Sequence, residues 1–246
     1  INKEIEGFDA EDARQKAKYN SEETIKQVLK WMENDAYGFC YNIEKSLVKI
    51  FNKDELKIFE SNIKSRFDDA YQSERPKENK RIYDYLYPVR QNADILKTIY
   101  NEKKDIKSYI SLCKKIGVTP KDCEDIALLY KDIGNYQEAL TWVEKGLELE
   151  GKGNWINESG HNLKGIKREL QNLLGHKDLA IESAWTDFQE CPSEYTYEEL
   201  IKYVAKEDIN SWHNKAIEKA KKSPLDTTIG LFVKTKELNI LADRIL

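Results

Sequence analysis

Hydrophobic residues recur at helical spacing along almost the whole chain. In most windows they lie at positions i, i+3, i+4 and i+7, the pattern of an amphipathic helix, and no window sustains the alternation typical of a β-strand. The stripes pause near Asn34-Asp35, resume over residues 36–50 and continue over residues 56–70. This pattern predicts an all-α fold.

A polar segment at residues 73–79, SERPKEN, is the best candidate for a domain boundary because it places Pro76 among charged and polar residues. It separates a predicted N-terminal helical region, residues 1–75, from a second predicted helical region, residues 76–246. Just beyond it, the stripe over residues 82–100 predicts a long helix that Pro88 kinks or splits.

Residues typical of helix ends punctuate the second region. The segment GVTPKD (117–122) offers a glycine for a left-handed C-cap, then a threonine for an N-cap and a proline for the first helical position. The segment KSPLD (222–226) repeats this order with Ser223 as the predicted N-cap, and TYEE (196–199) predicts a capping box.

One turn-and-helix fragment occurs twice. The segment GNYQEAL (134–140) aligns with GHKDLAI (175–181), and the offset between the two alanines is 180 − 139 = 41 residues. An amphipathic helix precedes each copy. A helix, a turn with a glycine that allows the chain to reverse, and a second helix with a small residue near its start form a helical hairpin repeat. The alanine lets the two helices approach closely.

Residues 120–151 resemble a tetratricopeptide repeat. Tyr130 and Ala139 fall on the tyrosine and alanine positions of that family, and Ala127 falls on its small-residue position. The second copy matches through Ala180 and the closing Pro192. Two weaker copies flank these, one ending at Pro120 and one running to Pro224. The residues that define the repeat are Tyr130, Gly134, Ala139, Gly175, Ala180 and Pro192.

The stretch 93–246 also resembles helical regions of uncharacterised bacterial proteins and the helical tail of SWIM zinc-finger proteins. The CxC and CxH pairs of the SWIM finger are missing from this sequence, so a zinc function does not carry over. The resemblances together imply an array of antiparallel helix pairs, a tetratricopeptide-like α-solenoid, preceded by an N-terminal helical bundle.

Two places on this predicted array are candidates for partner binding. The 41-residue offset exceeds the family period of about 34 residues, and the excess lies in the glycine-rich segment 151–162 with Trp155 and His161. That segment is either a surface excursion or a binding loop. Tyr83 and Tyr87 share one face of the helix that follows the boundary, where they are either covered by other helices or contact a partner.

Composition narrows the classes of partner. The 246 residues carry a net charge of −4 with a pI of about 5.7, so no overall positive charge attracts nucleic acid or anionic membranes. No apolar run approaches the roughly 20 residues that span a bilayer. The four cysteines form no CxxC motif or dense framework, which predicts reduced thiols and a cytoplasmic protein. The first residue is Ile1, so we expect the natural chain to begin earlier.

Motifs for chemistry are missing from the sequence. The three histidines have no HExxH spacing, GKGN (151–154) follows no strand as a phosphate-binding loop would, and there is no GxSxG. We therefore predict no catalytic residue, no cofactor and no metal. The Lys and Asn of carboxylate-clamp repeats are replaced by Glu124 and Leu128 in the best copy.

The sequence thus predicts a non-enzymatic scaffold that binds a protein or peptide in a helical-repeat groove. Two alternatives stay open. One is a helical accessory domain of a longer enzyme or DNA-associated protein. The other is a hydrolase whose site is assembled from residues far apart in the sequence.

Overall fold

A computed structural model describes residues 20–35, 37–73, 82–153 and 162–245, with the side chains of residues 82–86 and 245 left out. Every regular element in these ranges is a helix, which confirms the all-α prediction. The helices of the first part are α1 (Ser21–Glu33), α2 (Glu44–Ile50), α3 (Lys53–Gln72), α4 (Ile82–Glu102) and α5 (Ile106–Ile116). Those of the second part are α6 (Pro120–Asp132), α7 (Tyr136–Lys152), α8 (Leu163–Leu173), α9 (Lys177–Glu190), α10 (Glu194–Ile201), α11 (Ile209–Ala220), α12 (Leu225–Lys234) and α13 (Leu238–Ile245), with a 3₁₀ turn at Lys206–Asp208.

The chain forms two compact units that divide between Ile116 and Gly117. They are called unit 1 and unit 2 below. The boundary predicted at residues 75 and 76 falls in the segment 74–81, outside the described residues, and stays a prediction.

Unit 1 is built around the apolar stripe of α3. Leu56, Phe59, Ile63 and Phe67 are all buried, as the periodicity predicts. The helix begins with a capping box in which Asn52 accepts from the Glu55 backbone N–H and the Glu55 carboxylate accepts from the Asn52 backbone N–H. Helix α3 packs against α1 and α4, and α4 also contacts α2 and α5.

For unit 1, one prediction is contradicted in part and one is wrong. Helix α4 runs unbroken through Pro88, so the proline does not split it, and the alternative of a kink stays a prediction. Residues 37–43 form turns instead of the helix predicted over 36–50, and Phe39 is 87% exposed. The Asp35 carboxylate accepts the backbone N–H groups of Phe39 and Cys40, at 2.9 and 2.6 Å, and so stabilises a turn in place of helical hydrogen bonds.

The part of unit 2 that the structure describes is a succession of four helical hairpins, α6–α7, α8–α9, α10–α11 and α12–α13, and the two helices of each hairpin pack together. Helix α7 also contacts α8, and α9 contacts α10. The reversals in the first two hairpins use Gly134 and Gly175, with φ of +77° and +86°. Ala139 and Ala180, the alanines at which we predict a close helix approach, are completely buried.

The described residues of unit 2 form two core clusters. The first joins α6, α7 and α8 and consists of Ala127, Ala139, Val143, Leu163, Ile166 and Leu170, with Tyr130 packed against it. The second draws on α9 through α12 and includes Ala180, Ala184, Phe188, Leu200, Ala216, Leu231 and Phe232.

The predicted helix ends of unit 2 are confirmed at α6 and wrong at two other helices. Thr119 forms the predicted N-cap of α6, with Pro120 at the first helical position. The N-cap of α10 is Ser193, because Thr196 lies inside the helix and completes a capping box with Ser193. Ser223 does not cap α12, because its hydroxyl donates to the Lys219 carbonyl of the preceding helix and α12 begins only at Leu225.

Candidate functional site

Ion pairs connect the first helices of successive hairpins in unit 2. Between α6 and α8, Lys131 Nζ lies 2.7 Å from Glu169 Oε2. Between α10 and α12, Lys234 Nζ lies 3.2 Å from Glu194 Oε1 and 2.5 Å from Glu198 Oε1. Each pair is partly exposed, so its strength is that of a surface interaction. These ion pairs are useful mainly because they show which sides of the first helices face each other.

The link between α8 and α10 is a buried arginine. Arg168 is 4% exposed, and its Nη1 donates to Asp187 Oδ2 of α9 at 2.6 Å while Nη2 lies 3.7 Å from Glu199 Oε2 of α10. Partial burial raises the pKa of Asp187, but hydrogen bonds from Arg168 and Lys164 outweigh it and hold that pKa below its usual value. The guanidinium therefore holds three helices together through two carboxylates.

Apolar side chains stand exposed one turn away from these charges. Leu128 precedes Lys131 by three residues and is 37% exposed, and Leu173 follows Glu169 by four residues and is 45% exposed. Tyr195, at 66% exposure, precedes Glu198 by three. Residues three or four apart share a helix side. We call the side of α6, α8, α10 and α12 that carries these exposed ion pairs and apolar side chains the first-helix face.

A chain of hydrogen-bonded side chains connects α10, α11 and the segment before α13. The Tyr197 hydroxyl of α10 lies 2.9 Å from His213 Nδ1 of α11, and His213 Nε2 lies 3.3 Å from Oε1 of Glu237, which precedes α13. Burial raises the pKa of Tyr197. Because a carboxylate can only accept, a neutral His213 donates a hydrogen bond from Nε2 and accepts one from the Tyr197 hydroxyl at Nδ1.

The predicted partner-binding residues fall in different parts of the chain. Trp155 and His161 lie in segment 154–161, outside the described residues. Tyr83 belongs to α4, but its side chain is also outside the description. Tyr87 is 52% exposed on α4 in unit 1. Their role in binding stays a prediction.

The sequence pattern missed both constellations in unit 2. Lys131 and Glu169 are 38 residues apart, and Tyr197 and Glu237 are 40 apart, so no local motif brings them together. Arg168 had one usable signal. It occupies the position of Ala127 in the first hairpin (168 − 127 = 41), where an arginine must find buried partners.

The remaining groups bear on metal and thiol chemistry. Among the described residues, no three His, Cys, Asp or Glu side chains cluster in a way that could hold a metal ion. The four cysteines, all within the described ranges, form no disulfide, and burial raises the pKa of Cys123 to about 11. Within the described ranges, no helix is both long and apolar enough to cross a bilayer.

Comparison with known proteins yields no relative: no protein-family model, curated protein or solved structure matches this chain.

Proposed function

We propose that the protein is a non-enzymatic scaffold whose first-helix face binds an extended segment of a protein partner. The observation that carries this proposal is the chain of ion pairs that joins α6, α8, α10 and α12 side by side. Exposed apolar side chains between paired charges are typical of binding surfaces. The apolar side chains contact the partner, and the charged residues form a polar rim around them.

A tetratricopeptide-like array is the architecture we propose for unit 2. Its support is the order of four hairpins, the positive φ of Gly134 and Gly175, and the full burial of Ala139 and Ala180. In such an array the first helices of the hairpins line one side, and an extended peptide crosses them. Leu128 and Leu173 then contact apolar side chains of that peptide.

The test uses peptides selected from a random display library on the wild-type protein. The double variant Leu128→Glu/Leu173→Glu places two charges on the first-helix face. We expect it to weaken the selected peptides at least tenfold, measured by fluorescence anisotropy. Leu179→Glu is the matched control, because Leu179 is 50% exposed but lies on a second helix, α9. Equal affinity of all three proteins for every selected peptide would refute the proposed surface.

A hydrolase is the second candidate, and the Tyr197–His213–Glu237 chain favours it. A histidine that is oriented by a carboxylate and hydrogen-bonded to a hydroxyl can act as the base that activates this hydroxyl as a nucleophile. The test is hydrolysis of p-nitrophenyl esters. A rate above background that His213→Gln removes, with far-ultraviolet circular dichroism unchanged, would replace the scaffold proposal with an enzymatic one.

A further inference from the structure

Two tryptophans from second helices of unit 2 enclose one lysine ammonium. Trp185 lies on α9, and Trp212 and Lys215 lie on α11. The indole centroids are 5.6 Å apart, with ring planes at 67°. Lys215 Nζ lies 4.2 Å from each centroid. This distance is well within the roughly 6 Å over which a ring face attracts a cation.

Both indole rings pack against the second core cluster of unit 2. Trp185 stacks on Phe188 at 5.6 Å and 20°, and Phe188 is completely buried in the second core cluster. Trp212 packs against the same cluster. Both indoles are partly buried, whereas Lys215 is exposed. The rings are therefore held by packing, and the exposed lysine is the member of the set that can leave without disturbing the core.

Among the described residues, the rings contact Lys215 Nζ and no carboxylate pairs with it. Lys115 in unit 1 offers a comparison, because its Nζ lies 4.9 Å from the Phe67 centroid and 4.5 Å from the Tyr71 centroid but also 3.0 Å from Asp68 Oδ1. Lys215 forms no ion pair with any residue that the structure describes. A competing cation would displace it without breaking a salt bridge.

We propose that Trp185 and Trp212 form a binding site for a methylated ammonium group, and that Lys215 fills the site in the free protein. A primary ammonium is compact and strongly hydrated. A trimethylammonium group carries the same charge with much weaker hydration, so it loses less when it leaves water for two aromatic faces. Lys215 competes from a tether three residues from Trp212, which gives it a high effective concentration.

Titration with tetramethylammonium chloride tests the site, with sodium chloride at equal ionic strength as the reference and indole N–H NMR signals as the readout. We expect Lys215→Ala to bind at least threefold more tightly than the wild type, and Trp185→Leu/Lys215→Ala to lose that binding. Lys145→Ala is the matched control, because Lys145 Nζ lies 4.4 Å from the ring centroid of Trp142, which is one tryptophan and not a pair. It should leave the affinity unchanged. If Trp185→Leu/Lys215→Ala unfolds, Trp212→Leu/Lys215→Ala takes its place.

Three further titrations of Lys215→Ala separate the sources of the ligand; they use a trimethyl-lysine peptide, the same peptide without methyl groups, and choline. A trimethyl-lysine peptide that binds more tightly than choline points to a methylated protein, and the reverse order points to a small quaternary amine. The proposal is overturned if Lys215→Ala binds tetramethylammonium no more tightly than the wild type, or if the trimethylated and unmethylated peptides bind equally. Because the site lies on α9 and α11, its failure leaves the first-helix face untested, and the peptide-display result bears on that face alone.

Discussion

Gly146 offers a sharp test of how closely the first two hairpins of unit 2 pack. A β-carbon added at Gly146 would lie 2.8 Å from Leu163 Cδ1 of α8 and 2.9 Å from Cys123 Cβ of α6. The leucine methyl is the end of a rotatable side chain and can move. The cysteine β-carbon is bonded directly to the backbone of α6, so relieving this contact requires one helix to shift.

The expected magnitude follows from two opposing terms. Replacing glycine with alanine inside a helix gains about 1 kcal/mol of helix propensity, whereas overpacking of a core costs roughly 1–3 kcal/mol. Gly146→Ala should therefore lower the free energy of unfolding by up to about 2 kcal/mol. Gly151 lies on the same helix, and a β-carbon there would meet nothing within 4 Å. Gly151→Ala should raise the free energy of unfolding, by at most about 1 kcal/mol because it lies in the last turn.

Urea unfolding followed by tryptophan fluorescence measures both variants. Four of the five tryptophans belong to unit 2, and a Trp31→Phe background removes the remaining signal of unit 1. With a urea dependence of about 2 kcal/mol per molar, the midpoint of Gly146→Ala should fall by up to about 1 M. A midpoint that rises as it does for Gly151→Ala would show that α6 and α7 are not in close contact at this position.

Three further results are expected. Ala139→Leu should lower the free energy of unfolding by roughly 1–3 kcal/mol because Ala139 is completely buried, whereas Gln137→Ala, on the exposed side of α7, should stay within about 0.5 kcal/mol in the same urea assay. Because the pKa of Asp187 is lowered in the folded protein, its ionisation contributes stability that is present above the unfolded pKa and is lost as the pH falls through the folded pKa. The urea midpoint of the wild type should therefore drop more between pH 6 and pH 3 than that of Arg168→Leu. Parallel changes of the two midpoints with pH would contradict this. With its pKa raised to about 11, the buried Cys123 thiol should stay unmodified by Ellman's reagent at pH 8 until urea unfolds the protein, as peptide mass spectrometry would show.

The helices could be predicted from the sequence because the signals for each one, an apolar stripe and its capping residues, lie within a single stretch of the chain. The stripe of α3 and the capping residues of α6 belong to this class. The turn at residues 37–43 could not, since its apolar spacing fits a helix. The Asp35 carboxylate bonds to Phe39 and Cys40 and the positive φ of Gly38 and Asn42 decide against that helix. The start of α10 was misplaced because Ser193 and Thr196 are both good caps, three residues apart.

The candidate sites depend on contacts between helices that are far apart in the sequence. Trp185 and Trp212 are separated by 27 residues, and nothing local distinguishes them from tryptophans in a core. The distance from Lys131 to Glu169 depends on how α6 and α8 pack, which one sequence does not specify. The hairpins α6–α7 and α8–α9 were therefore predictable from the residues, whereas the α12–α13 hairpin and the surfaces formed between hairpins were not.

The contacts of Arg168 limit how this protein could be re-engineered from its own parts. Position by position, Arg168 and Asp187 of the second hairpin correspond to Ala127 and Gly146 of the first, each at an offset of 41 residues. A chimera in which a copy of the first hairpin replaces the second would leave Glu199 of α10 without its guanidinium partner. The two hairpins share a plan but are not interchangeable modules, and a lengthened version of this protein would have to redesign each junction separately.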